Sequence, residues 1–99
     1  MGNKQFYVYI MASGKRGTIY TGVTSDLITR VIQHKEHYFE DSFTARYNVN
    51  LLVWFEVHGM AEPAIRREKQ IKEWRRAWKV EMIQATNPAW RDLWDDIIG

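Results

Sequence analysis

Apolar and polar positions alternate with a period of two at the start of the chain and later recur near every 3.6 residues, which separates strands from helices. Phe6 to Met11 is a β-branched and aromatic run that reads as a strand. Phe6, Val8 and Ile10 share one face, and Tyr7, Tyr9 and Met11 the other. The first face is apolar and suits a core; the second carries two phenols and suits a partly wet surface. Ser13 to Gly17 forms a turn too short for a helical crossover, so Thr18 to Val23 is expected to pair antiparallel with the first strand. Gly22 weakens that second strand and marks a bulge or the close approach of another group.

The period then lengthens. Thr24-Ser25-Asp26 is a cluster of helix-capping residues, which predicts a helix running to about Tyr38. Leu27, Val31, His34 and Tyr38 fall on its buried stripe, and Arg30 borders that stripe. Glu40 to Asn50 has loop chemistry and is expected to form an exposed flap, from which Arg46 and Tyr47 reach a ligand. Leu51 to Val57 is nearly all apolar and reads as a central strand. Pro63, suited to a first helical turn, opens a helix to about Arg75 that places Ile65, Glu68, Ile71 and Trp74 on one stripe. A third helix over 77–85 is expected to turn Trp78, Met82 and Ile83 inward. A fourth, capped by Asn87 and begun by Pro88, is expected to bury Trp90, Leu93, Trp94 and Ile97. The order is ββαβααα: an α+β fold with a three-stranded, mostly antiparallel sheet flanked by helices. The expected organisation is one domain over 1–99, with a core at about 6–85 and a helix at 88–97 packed on it.

Composition narrows the classes. The chain has 99 residues, 45% of them hydrophobic and 14% aromatic, enough apolar surface to exclude disorder. It has no cysteine, which excludes a disulfide framework and a Cys-ligated zinc. No run approaches the ~18 apolar residues of a membrane span, and the N-terminal apolar run is too short for a signal peptide, so a cytoplasmic protein without membrane contact is expected. Net charge is only +2, but residues 66–79 carry seven basic and two acidic side chains, and residues 1–35 carry five basic and one acidic. Two basic segments separated in sequence can converge on one anionic ligand, although charges also simply coat helix surfaces.

Five polar side chains sit at or near positions where the pattern asks for apolar ones: Tyr9, Tyr20, Arg30, His34 and Glu68. A carboxylate on a buried stripe is costly to desolvate unless it is paired or holds a cation, and a salt bridge to a neighbouring Lys or Arg would suffice. His37 and His58 have no partner at metal-ligand spacing, so a zinc site is not expected. Gly14 and Gly17 lack the spacing of a phosphate-binding loop. One carboxylate, one arginine and two phenols do cohere. A lone Glu can hold a hard divalent cation that keeps its waters, an Arg can stabilise charge on a phosphate, and a Tyr or His can take a proton from water. These parts suit metal-assisted phosphodiester hydrolysis.

The same residues carry a resemblance. Tyr7-Val8-Tyr9 and Tyr20-Thr21-Gly22 stand where the two signature triplets of the GIY-YIG nuclease superfamily fall. Arg30 follows ten residues after Tyr20, His34 one turn later, and Glu68 lies in AIRREKQIKEW on the later helix. The sequence most resembles the small stand-alone bacterial branch of UPF0213-type proteins, over residues 6 to about 94. Tyr7 replaces the first triplet's Gly, Thr21 replaces Ile or Val in the second, and Val23 stands where repair-type members often carry a basic residue. The resemblance implies a metal-dependent DNA endonuclease, acting on repair or recombination substrates, with Tyr9, Tyr20, Arg30 and His34 as catalytic residues and Glu68 binding Mg²⁺ or Mn²⁺. Lys15, Arg16, Arg46, Arg67 and Lys72 are the candidate nucleic-acid contacts. A monomer is expected, with a partner protein supplying specificity. The alternatives are a nucleic-acid-binding module with little turnover, and an interaction domain whose polar residues serve stability.

Overall fold

In a computed structural model, residues 4–37 and 43–99 are described. The elements run β1 (Phe6–Ala12), β2 (Ile19–Thr24), α1 (Leu27–Lys35), α2 (Phe43–Arg46), β3 (Leu51–His58), α3 (Ala61–Glu73), α4 (Arg76–Thr86) and α5 (Trp94–Ile98). The sheet is antiparallel throughout, in the order β2-β1-β3. None of the described helices is long and apolar enough to cross a membrane.

Strand β1 is the middle strand because it has two apolar faces to bury. Val8, Ile10 and Ala12 pack with Ala64 and Ile71 of α3 and Ile83 of α4, while Tyr9 and Met11 pack with Leu27, Val31, Val49 and Leu52 on the opposite side. The face expected to be partly wet is therefore largely covered: Tyr9 is 0% exposed. Leu51–His58, expected in the centre, is an edge strand. Its apolar run is explained by helices on both faces and by a C-terminal turn along its outer side. In that turn Leu93 N–H donates to the Leu52 carbonyl (2.7 Å) and Leu52 N–H donates to Asp92 Oδ1 (3.2 Å). A register shift opposite Ile10 and Met11 lets the consecutive residues Val53 and Trp54 both join the α3 side of the core.

Four further expectations are corrected. The flap contains a one-turn helix, α2, so the order is ββααβααα; residues 40–42 of the flap lie outside the described residues. Helix α1 ends at Lys35, before a left-handed His37 (φ 53°), and the expected terminus Tyr38 is outside the described residues. The buried stripe of α3 is Ala64, Glu68 and Ile71, whereas Ile65 is 43% exposed. In α4, Ile83 is buried with Val80 and Met82 beside it, and Trp78 faces outward at 51% exposure.

The last expected helix is also shorter, beginning at Trp94 rather than Pro88. Asn87 does not cap it. Asn87 closes α4 instead, its backbone N–H reaching Ile83 O (2.8 Å). Its side-chain NH₂ donates to the carbonyls of Val53 (3.1 Å) and Arg91 (2.8 Å), and its Oδ1 accepts from Arg91 N–H (3.0 Å). A short polar side chain that satisfies three backbone groups holds the 88–92 segment as a turn and ties it to β3.

Candidate active site

The site forms where the tyrosine face of β1 and β2 meets α1. Tyr9 stands opposite Gly22 in the β1–β2 register. A Cβ at Gly22 would lie 2.5 Å from the Tyr9 hydroxyl and 2.6 Å from Cζ, so the glycine is the space that the phenol fills. The close approach predicted for Gly22 thus comes from a side chain of the neighbouring strand.

Helix α1 supplies the opposing groups. It starts at Asp26, whose carboxylate accepts from the Thr29 N–H (3.1 Å) and hydroxyl (2.8 Å). From that start, Arg30 and His34 fall one turn apart on the side facing Tyr9. His34 Nε2 is 3.0 Å from the Tyr9 hydroxyl and Nδ1 is 3.1 Å from the Thr44 hydroxyl. Ring centroids of Tyr9, Tyr20 and His34 form a triangle with sides of 5.3, 5.7 and 6.3 Å. Tyr9 and His34 are buried, and Tyr20 and Arg30 are partly exposed.

Burial lowers the His34 pKa to about 4, with the nearby Arg30 charge adding to the effect. The ring is neutral at physiological pH and carries one proton. Burial also pushes the Tyr9 phenol well above its ordinary value, reinforced by Tyr20 and Glu68 and opposed by the charge and hydrogen bond of Arg30. Arg30 can only donate. The consistent arrangement has Nδ1–H donating to Thr44, the Tyr9 O–H donating to Nε2, and the Tyr9 oxygen accepting from Arg30. Tyr9 is thereby held as a neutral, oriented phenol, and Tyr20 is the phenol that meets solvent.

Glu68 joins from α3, only 8% exposed, with its Oε2 2.7 Å from Lys72 Nζ. The same ammonium lies 5.9 Å from the Tyr20 ring centroid, which connects the carboxylate to the aromatic triangle. The ion pair expected as the ordinary explanation of a buried Glu is therefore present, and its partner is Lys72. Among the described residues no cluster of three or more His, Asp or Glu could cage a metal. A single carboxylate does suit a hard cation that brings water and phosphate oxygens as its other ligands.

The remaining candidate contacts are more scattered. Lys15 is exposed in the β1–β2 turn, and Arg46 is exposed at the end of α2. Arg16 has a left-handed backbone (φ 57°) and reaches Gln84 Oε1 at 3.4 Å. Arg67 is not presented with the cleft groups: its guanidinium is bound by Glu56 (3.1 Å) and lies 5.5 Å from the Trp74 ring. His58 also pairs with Glu56 (2.8 Å). A groove of about 360 Å³ beside Tyr7, Phe55, Val57 and Ile97 contains none of the candidate catalytic residues. Thr44 was not anticipated; a lone threonine in a loop-like stretch gives no periodic signal of its burial against His34.

Residues 5–81 match the GIY-YIG catalytic domain, and the chain belongs to this family of nuclease domains. Two UPF0213 proteins from strains of Staphylococcus epidermidis are each 35% identical over 78 residues, covering 79% of this chain and 93% of theirs. The solution structure of a UPF0213 protein from Bacillus halodurans shares the fold, with a TM-score of 0.55 and 26% identity over 89% of this chain and 92% of that one.

Proposed function

We propose that this protein is a divalent-metal-dependent endonuclease that hydrolyses phosphodiester bonds in DNA, acting on repair or recombination intermediates. The observation that carries the proposal is the meeting of Tyr9, Tyr20, Arg30 and His34 beside the Lys72–Glu68 pair, at one edge of the sheet. Arg30 neutralises the scissile phosphate as negative charge builds on its non-bridging oxygens. Tyr20, the solvent-facing phenol, orients the attacking water. The water oxygen forms the new P–O bond, the bond to the leaving sugar oxygen breaks, and the water's proton passes to solvent or to the leaving oxygen. Tyr9 and His34 hold Arg30 and the cleft wall in place through the bonds to Thr44 and the phenol. Glu68 would hold the Mg²⁺ or Mn²⁺ ion, which when bound supplies positive charge at the phosphate. Specificity comes from a partner protein, and the protein acts as a monomer in the cytoplasm.

One observation favours a second reading. Lys72 already neutralises Glu68, which suits a binding module with little turnover as well as a metal site. Incubation with single-stranded, duplex and branched DNA in Mg²⁺, Mn²⁺ or EDTA separates the two. Metal-dependent cleavage that disappears in Arg30→Ala and Glu68→Ala supports the nuclease. Binding without cleavage in any metal supports the module, and cleavage unaffected by Glu68→Ala overturns the mechanism.

A further inference from the structure

The elbow between α3 and α4 carries chemistry that the cleft does not use. Trp74 closes α3, Arg75 precedes α4, and both are extended (ψ 149° and 153°), so the chain turns sharply there. The turn brings the Trp74 and Trp78 rings edge to face, with centroids 6.2 Å apart. Trp74 is partly buried against the core, while Trp78 is 51% exposed, with the Arg75 guanidinium 5.1 Å from its centroid. Together with Met82, Ala85 and Glu81 they line an open groove of about 460 Å³. A large aromatic ring left half in water on a helix whose Val80, Met82 and Ile83 pack on the core asks for a partner.

The surrounding charge indicates which partner. Residues 66–79 hold seven basic and two acidic side chains. Arg66, Arg67 and Lys72 are paired with Glu62, Glu56 and Glu68. Among the described residues Lys69, Arg75, Arg76 and Lys79 have no carboxylate partner. Arg76 donates to the Arg16 and Gly17 carbonyls (both 2.7 Å), and Lys79 donates to the Lys72 carbonyl (3.3 Å), which gathers these cations between the elbow and the β1–β2 turn. Burial and the Arg76 and Lys72 charges all lower the Lys79 pKa, as expected for an ammonium crowded by like charges and relieved by an anion. The cluster leads into the cleft, since Lys72, whose carbonyl Lys79 reaches, pairs with Glu68 and has its ammonium 5.9 Å from the Tyr20 ring centroid.

We propose that this elbow is a nucleotide subsite, in which an unpaired base stacks on Trp78 and the flanking phosphates lie on Arg76 and Lys79. Every base has a π face that an exposed indole can take, and cations beside it hold the backbone without reading sequence. Glu81 in the groove disfavours a phosphate inside it and leaves that space to the uncharged base. Inside a paired duplex both faces of every base are already stacked, so the subsite selects strands that are single, frayed or flipped. The inference rests on the nucleic-acid reading of the cleft but not on turnover.

Fluorescence anisotropy of end-labelled oligonucleotides in EDTA tests it, with dT15, rU15, a dT15 carrying abasic residues, and a blunt duplex. Trp78→Ala is expected to weaken dT15 binding about tenfold or more. Trp78→Phe is expected to retain most of it, and duplex binding to be unchanged by either variant. The abasic strand should bind wild type about as weakly as dT15 binds Trp78→Ala. Arg76→Ala and Lys79→Ala should weaken every probe and flatten the salt dependence by about 0.7 per phosphate contact on single strands. Equal affinity for dT15 and rU15 supports a subsite that reads the base face and phosphate, since the two strands differ only in the sugar 2′-OH and the thymine methyl group. Unchanged dT15 binding in Trp78→Ala, or an equal loss on abasic and duplex probes, overturns the proposal and leaves Trp78 as a protein-docking residue. Cleavage, assayed separately, distinguishes the two failures. A Trp78 effect without cleavage in any metal rejects the nuclease alone, whereas cleavage with no Trp78 effect rejects the subsite alone.

Discussion

At Gly22 a missing carbon sets the position of a phenol one strand away. Gly22→Ala would drive a methyl group to 2.5 Å from the Tyr9 hydroxyl, and a fully buried ring has little room to retreat. The expected cost is about 1–3 kcal/mol of stability with a larger loss of cleavage, because the Tyr9–His34 bond must break. Urea denaturation beside an activity assay checks both, and unchanged activity would show that Tyr9 is not held for catalysis. His34 makes a prediction with a definite sign. Its folded pKa of about 4 lies below the ordinary 6.5, so between those values the unfolded chain binds a proton that the native chain does not. Stability is therefore fully present above pH 6.5 and falls toward pH 4, by roughly 3 kcal/mol at most. His34→Gln should flatten this part of the curve, measured by urea unfolding at a series of pH values. Lys72 makes a third: Lys72→Gln frees the Glu68 carboxylate from its 2.7 Å partner and should lower the Mg²⁺ concentration needed for half-maximal cleavage several-fold. A higher requirement in the variant would mean that the lysine assists the metal.

Among the elements, the C-terminal turn depends on one side chain. Asn87→Ala removes three hydrogen bonds and strands the buried Val53 carbonyl, an expected loss of about 2–3 kcal/mol. Asn87→Asp, which keeps the acceptor but turns a buried carboxylate oxygen toward the Val53 and Arg91 carbonyls, should cost at least as much in the same urea experiment. This residue also shows where sequence patterns stop being informative. An Asn before a Pro looks like a helix start, and only the contact with Val53, 34 positions earlier, makes it the end of the preceding helix. The strands and the long helices were legible because their signals are local: alternation in β1, capping at Asp26, a proline in the first turn of α3. Tyr9, Tyr20, Arg30, His34 and Glu68 stood out as polar groups in apolar patterns, which is also a local signal. Thr44, the edge position of β3 and the outward turn of Trp78 depend on which segments cover which faces, and no period encodes that. The apolar run of β3 misled for the same reason, since helices and a turn can bury an edge as thoroughly as two neighbouring strands.

For the molecule as a whole, β1 is the shared wall of two cores, one with α3 and α4 and one with α1 and the 49–52 segment. Ile10→Ala removes a fully buried side chain from this wall and should cost about 2–5 kcal/mol, whereas Ile28→Ala, at a position 43% exposed, should change stability by under about 0.5 kcal/mol. Comparable losses in both would mean that the sheet is not the common support. The strand order also bears on synthesis. β1 leaves the ribosome before its two neighbours, and β2 can pair with it across a short turn almost at once. β3 must close a much longer loop, and Glu68 comes later still, so folding is slowest where the wall is completed. Until translation has passed α3, the nascent chain carries the tyrosines and the arginine without the carboxylate. If Glu68 holds the metal as proposed, a growing chain built in this order acquires cleavage only after that last part is in place.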